Sequence, residues 1–137
     1  MKKLIIIIIL IFTSFHSYAI GIELVCDGIK MKVNQYTSSG INSKTTKDLN
    51  SVELIFYPEE EKLIYGNASF EIYQVGNTVR YAGYLDLANN DMTDPALILN
   101  RANGNFEVSK VQKIGDNVYF IEQLYNCKKK EEVELKF

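Results

Sequence analysis

Only one histidine occurs among the 137 residues, His16, and it falls within the apolar leader described below. Without that leader the chain has no imidazole. Ser-His-Asp and Cys-His nucleophilic sites are then excluded, and so is histidine-bound zinc. Cysteine is nearly as scarce, with Cys26 and Cys127 the only two. They lie far apart in the chain, whereas a redox-active pair is usually spaced Cys-x-x-Cys. No basic stripe is visible, so nucleic acid is not expected as a partner. A helical hydrophobic period is missing too, as are internal repeats and any linker that would divide the chain.

What is present begins with an export signal. Met1-Lys2-Lys3 supplies a positive start, Leu4 to Phe12 is unbroken apolar sequence, and Ser17-Tyr18-Ala19 ends in a small-x-small pattern. That is the layout of a cleavable secretory leader over residues 1–19, leaving one domain over 20–137. The apolar run is far below the roughly 20 residues of a spanning helix, so no stable membrane insertion is expected. Export places the domain in the periplasm or beyond the cell, where thiols oxidise. Cys26 and Cys127 are therefore expected to bond. In the chain-entropy model, closing a loop of about 100 residues contributes on the order of 4–5 kcal/mol.

Removing Lys2 and Lys3 leaves thirteen basic residues against seventeen acidic ones, a net charge of −4. Lys128-Lys129-Lys130 is followed at once by Glu131-Glu132. Its field is largely cancelled, and it reads as a solvated turn.

Period-2 alternation dominates the rest and predicts an all-β fold. Ile22, Leu24 and Cys26 share a face, as do Ile29, Met31 and Val33, with Asp27-Gly28 as a turn between them. Val52, Leu54 and Phe56 follow, then Phe70 with Ile72, and Val79 with Tyr81 and Leu85. Gly66-Asn67 and Gly76-Asn77 mark tight turns, the second of the II′ sort, and Asn103-Gly104 carries a type I′ signal. The apolar run from Ala96 to Leu99 reads as a strand buried on both faces. Phe106 and Val108, then Val118, Phe120 and Leu124, and finally Val133, Leu135 and Phe137 complete eight to ten short strands. So many strands joined by tight turns should pair antiparallel and curl, because closure removes exposed edges. The expected fold is a small antiparallel meander closing into a barrel or strongly curved sheet, its ends joined by the disulfide. An open two-layer sandwich is the alternative.

Two polar stretches break the alternation. Residues 37–48 (TSSGINSKTTKD) predict a long loop, a common place for binding function. In residues 86–95, Asp86, Asn89, Asn90, Asp91 and Asp94 have ligand types suited to calcium, but not the EF-hand spacing. An Asn/Asp-rich turn explains them equally well, and no metal or other cofactor is assigned. Glu59-Glu60-Glu61 after Pro58 is a solvated turn, while Glu71, Glu107 and Glu122 lie on strands. Two of the latter facing one cleft would permit a carboxylate-dependent hydrolase. Eight tyrosines follow the leader, and tyrosine is enriched at protein interfaces. Tyr73 and Tyr84 fall on the polar faces of their strands, beside Glu71 and Arg80.

The leader, the widely spaced cysteines and the compact β domain together resemble the periplasmic inhibitors of C-type lysozyme. The family's inhibitory segment has a Ser-Gly stretch followed by Arg-Tyr. Here Gly76-Asn77-Thr78-Val79-Arg80-Tyr81 is the similar stretch, with Val75 in the serine's place. The resemblance implies a non-enzymatic protein that docks Arg80 and Tyr81 onto a hydrolase or toxin; the tyrosine faces and the polar stretch add Tyr73, Tyr84 and residues 37–48 as candidates. Leu99-Asn100-Arg101-Ala102-Asn103-Gly104 and Tyr125-Asn126-Cys127 look equally like small exported bacterial proteins of unknown function. A barrel holding a small ligand and a carboxylate-dependent hydrolase are the alternatives. Intact mass of the exported protein is expected to correspond to cleavage after Ala19 and to fall two hydrogens short of the dithiol form; free thiols on an uncleaved chain would contradict this.

Overall fold

The structure, a computed structural model, describes residues 20–86 and 91–131, with side chains for all of these except 84–86 and 91–93. The leader, Asn89, Asn90 and the Val133, Leu135, Phe137 run lie outside the described residues. Twelve strands are described: β1 (Ile22–Thr37), β2 (Gly40–Thr46), β3 (Val52–Tyr57), β4 (Lys62–Tyr65), β5 (Ala68–Glu71), β6 (Tyr73–Val75), β7 (Thr78–Tyr81), β8 (Tyr84–Asp86), β9 (Asp91–Asp94), β10 (Ala96–Asn100), β11 (Asn105–Ile114) and β12 (Asn117–Lys129). Ten form one antiparallel sheet in the order β5-β4-β3-β1-β12-β11-β10-β7-β6, with β2 added beside β1; β8 and β9 pair separately.

The sheet curls until its ends nearly meet. Its edge strands β5 and β6 are consecutive in the chain, with only Ile72 between them. Ile72 N–H donates to the Glu61 carbonyl at 2.8 Å, and Gln74 Nε2 donates to the Pro58 carbonyl at 3.2 Å. The result is a nearly closed barrel. Its ends are tied where expected: β1 and β12 pair antiparallel with Cys26 directly opposite Cys127, and the two sulfurs are bonded.

Alternation fills the interior. Leu54, Phe56, Leu63, Val79, Leu97, Leu99, Phe106, Val108 and Tyr125 all point inward and are buried. Phe106 packs edge-on against Tyr65 across the barrel at 5.5 Å and lies 5.8 Å from Tyr125. Burying each such side chain contributes about 1.5–3 kcal/mol. Burial pushes the Tyr65 and Tyr125 phenols above their ordinary value.

Several local expectations are corrected. Asp27-Gly28 makes no turn; β1 runs straight through it for 16 residues. The register shifts between Gly28 and Lys30, leaving Ile29 as the extra residue of a bulge. Glycine is needed there for close approach, because a Cβ on Gly28 would strike the Leu49 carbonyl. Residues 37–48 form no long loop: the chain turns tightly between Thr37 and Gly40 and returns as β2, paired with β1. Asn103-Gly104 is not a two-residue turn. The connection spans 101–104, with Gly104 N–H donating to the Asn100 carbonyl at 2.8 Å and Asn100 Oδ1 capping Ala102 N–H. Gly104 sits at φ 76°, against the Cys127 carbonyl. In β10 only Leu97 and Leu99 are buried; Ala96 and Ile98 are half-buried, so one face dominates. Lys128 and Lys129 end β12 as exposed strand residues rather than a turn. By contrast, Gly66-Asn67 and Gly76-Asn77 turn as predicted, joining Tyr65 to Ala68 and Val75 to Thr78.

Gly28→Ala is expected to lower unfolding stability by about 2 kcal/mol through the clash with Leu49. Gly115→Ala, at φ 61° with open space around it, is expected to cost about 1 kcal/mol. Urea unfolding of both variants measures the difference; equal losses would contradict close approach as the reason for Gly28.

Candidate functional site

β1 and β12 are longer than the barrel wall requires. Beyond the bulge they run on together, with β2 on one side and the outer half of β11 on the other. This four-stranded extension is the arm of the molecule. None of residues 30–46 or 109–123 is fully buried. Open sheets normally cover at least one face. Within the described residues β2 pairs only with β1, so it also presents a free edge.

Register assigns the two faces. The bulge at Ile29 keeps Met31 and Val33 on the face that continues the barrel interior. There Lys44, Val33, Ile121 and Lys110 form one row across the four strands. Met31, Gln123 and Thr46 lie below it; Asn42, Gln35, Tyr119 and Gln112 lie above. A cleft of about 510 Å³ opens on this face beside Met31, Val33, Lys44 and Tyr119. Beside Met31, Gln123 Nε2 meets its sulfur at 3.7 Å, while Gln123 Oε1 is buried and among the described residues has no hydrogen-bond partner.

The opposite face carries Ile41, Tyr36 and Val118 in one row and Phe120 beside Val111 in the next. Ile41 is 62% exposed and Tyr36 43%. Where this face joins the barrel, a cleft of about 340 Å³ is lined by Lys30, Lys32, Glu107, Ser109 and Glu122. Glu122 stands directly opposite Lys32 across β1 and β12. Glu107 and Glu122 are diagonal neighbours on paired strands, a Cα spacing of about 7–8 Å. Both are exposed.

The residues singled out from sequence divide. Tyr73 and Arg80 lie directly opposite each other on β6 and β7, pointing outward, with Tyr73 half exposed. Tyr81 points the other way. Its ring packs 4.9 Å from Phe70, and its hydroxyl donates to Asp94 Oδ2 at 3.0 Å. Desolvation, and then the Asp94 carboxylate, push its phenol up. Arg80 and Tyr81 therefore do not form one surface, because neighbours in a strand face opposite ways. Tyr84 starts β8, and its side chain lies outside the described residues. Glu59, Glu60 and Glu61 are exposed in the expected turn, with Glu60 paired to Lys62 at 3.0 Å.

Among the described residues no three His, Cys, Asp or Glu side chains converge as a metal site. Of the residues with calcium-type ligands, Asp94 accepts a hydrogen bond from Tyr81 and the other side chains lie outside the described residues. At the far end of the barrel Arg101 lies over the Phe56 ring at 5.4 Å and donates to Gln74 Oε1 at 3.2 Å. It shares an open cleft there with Leu24, Leu99 and Lys129. No described helix is long and apolar enough to cross a membrane.

Charge is segregated. The arm carries Lys30, Lys32, Lys44, Lys110 and Lys113 against only Asp116 and Glu122. The rest of the domain is acidic, notably at Glu23, Glu53, Glu59, Glu60, Glu61 and Glu71. Nothing in the 37–48 sequence signalled an arm, since a strand bare on both faces has no hydrophobic alternation. The one usable signal was its β-branched content, Ile41, Thr45 and Thr46. Compared with protein-family models, with curated proteins and with solved structures, the chain finds no match.

Tyr81→Ala is expected to cost about 3 kcal/mol by removing a packed ring and its hydrogen bond. Arg80→Ala is expected to stay within about 0.5 kcal/mol of the parent. Thermal or urea unfolding measures both; a stable Tyr81→Ala variant would contradict the inward role of this ring.

Proposed function

We propose that this chain is a non-enzymatic binding protein, exported to the bacterial envelope, that holds a protein partner on its arm. A hydrolase or toxin is the class of partner considered, with C-type lysozyme the first to test. The observation that carries the reading is a sheet that, among the described residues, is uncovered, with apolar side chains on both faces and a free β2 edge. Exposed apolar surface of this kind marks interaction sites, and a free edge strand accepts added strands. The disulfide fits an oxidising compartment. The barrel interior is filled by its own side chains, so a small ligand would have to sit in an open surface cleft.

The test uses the mature protein as bait against purified C-type lysozyme and against envelope extract. Tyr36→Ser with Ile41→Ser is expected to reduce capture at least tenfold with no change in melting temperature. If Tyr73→Ala with Arg80→Ala reduces capture instead, the β6–β7 edge replaces the arm as the site. Capture unaffected by either pair would overturn docking through these surfaces.

A second reading rests on Glu107 and Glu122 lining one cleft. It is a carboxylate-dependent glycoside hydrolase, one acid donating a proton and the other assisting. Turnover of glycan substrates that disappears in both Glu107→Gln and Glu122→Gln would establish it. The binding reading expects no turnover from the parent protein.

A further inference from the structure

We infer that the inner face of the arm is a seat for an amphipathic helix whose apolar stripe is flanked by acidic residues. This goes beyond the binding reading above, which is tested on the opposite face, and rests on its taking the arm as the docking element. The middle row of the face places apolar Val33 and Ile121 between two cations, Lys44 on β2 and Lys110 on β11. Those strands are three spacings apart, about 14 Å. A helix with its side chains is about 10–12 Å across, so one helix fits between the lysines. From Met31 to Gln35 the face runs about 13 Å, the rise of some nine helical residues. Met31, Val33 and Tyr119 line the open cleft on this face.

Charge selects the occupant. The described inner face of the arm has no carboxylate; its acidic neighbours Asp116 and Glu122 lie in a turn and on the opposite face. A helix with Glu or Asp on both flanks would meet Lys44 and Lys110 while its apolar stripe covers Val33 and Ile121. A second copy packed face to face would set these lysines against their own kind. A flat bilayer would have to accommodate the polar Gln35, Asn42 and Gln112 row. An apolar sheet face covered by a helix is also the layering that protein domains commonly use.

The test uses two fluorescent synthetic peptides of about 18 residues sharing one leucine stripe, one flanked by glutamate and the other by lysine. Anisotropy is read at low salt, where charge is least screened. The glutamate peptide is expected to bind at least tenfold tighter than the lysine peptide. Lys44→Glu with Lys110→Glu should reverse that order, and Lys44→Gln with Lys110→Gln should abolish the preference at unchanged melting temperature. An unchanged preference in both variants would overturn the inference. So would binding to phosphatidylglycerol vesicles, but not to peptides, that is lost in both variants. If neither peptide binds while a protein partner is still captured through Tyr36 and Ile41, the helix seat falls and the binding reading stands. If capture fails as well, both fall.

Discussion

The pairing of β1 with β12 is the interaction on which the rest of the molecule depends. These strands are neighbours in space and remote in sequence, so their contact closes nearly the whole domain into one loop. Such long-range pairing bears a large loop-closure entropy. The Cys26–Cys127 bond offsets that term by restricting the unfolded chain. With the seam fixed, β3 to β5 wrap one way from β1 and β11, β10, β7 and β6 wrap the other, until Phe70 meets Tyr81. The contact of Tyr65 on β4 with Phe106 on β11 joins the two halves across the interior.

The same seam creates the arm. Both strands outrun the barrel, and the bulge at Ile29 keeps their side chains in phase with its interior. A surface that begins as core at Val108 and Tyr125 thus continues into solvent at Val33, Ile121 and Tyr119. Gly28 permits this, because Leu49 closes over the strand at the point where core becomes arm. Basic residues gather on the projecting part and acidic ones on the barrel. On the proposed binding reading, that separation would turn the arm toward an acidic partner before contact.

Much of the barrel was legible in the sequence. Val52, Leu54 and Phe56 alternate because one face is buried, and Gly66-Asn67 and Gly76-Asn77 turn where a positive φ is needed. The disulfide followed from the export leader and the wide spacing of the two cysteines. Alternation loses its meaning where both faces are solvated, which is why 37–48 read as loop and β2 was missed. Gly28 was read as a turn because sequence cannot distinguish a glycine required for conformation from one required for close approach. Arg80 and Tyr81, adjacent in β7, point to opposite sides of the sheet, as neighbours in any strand must. Glu107 and Glu122 were visible as strand carboxylates, but their shared cleft depends on the β11–β12 register, which sequence alone does not fix.

Amide hydrogen exchange on the oxidised protein and on Cys26→Ala with Cys127→Ala tests the central role of the seam most directly. Without the bond, protection is expected to fall together along both halves of β1 and β12, from Val25 to Tyr36 and from Val118 to Lys128, because the arm is held only by the strands that the barrel anchors. Protection lost near position 26 alone, with the arm amides unchanged, would show that the arm folds independently and would contradict this account.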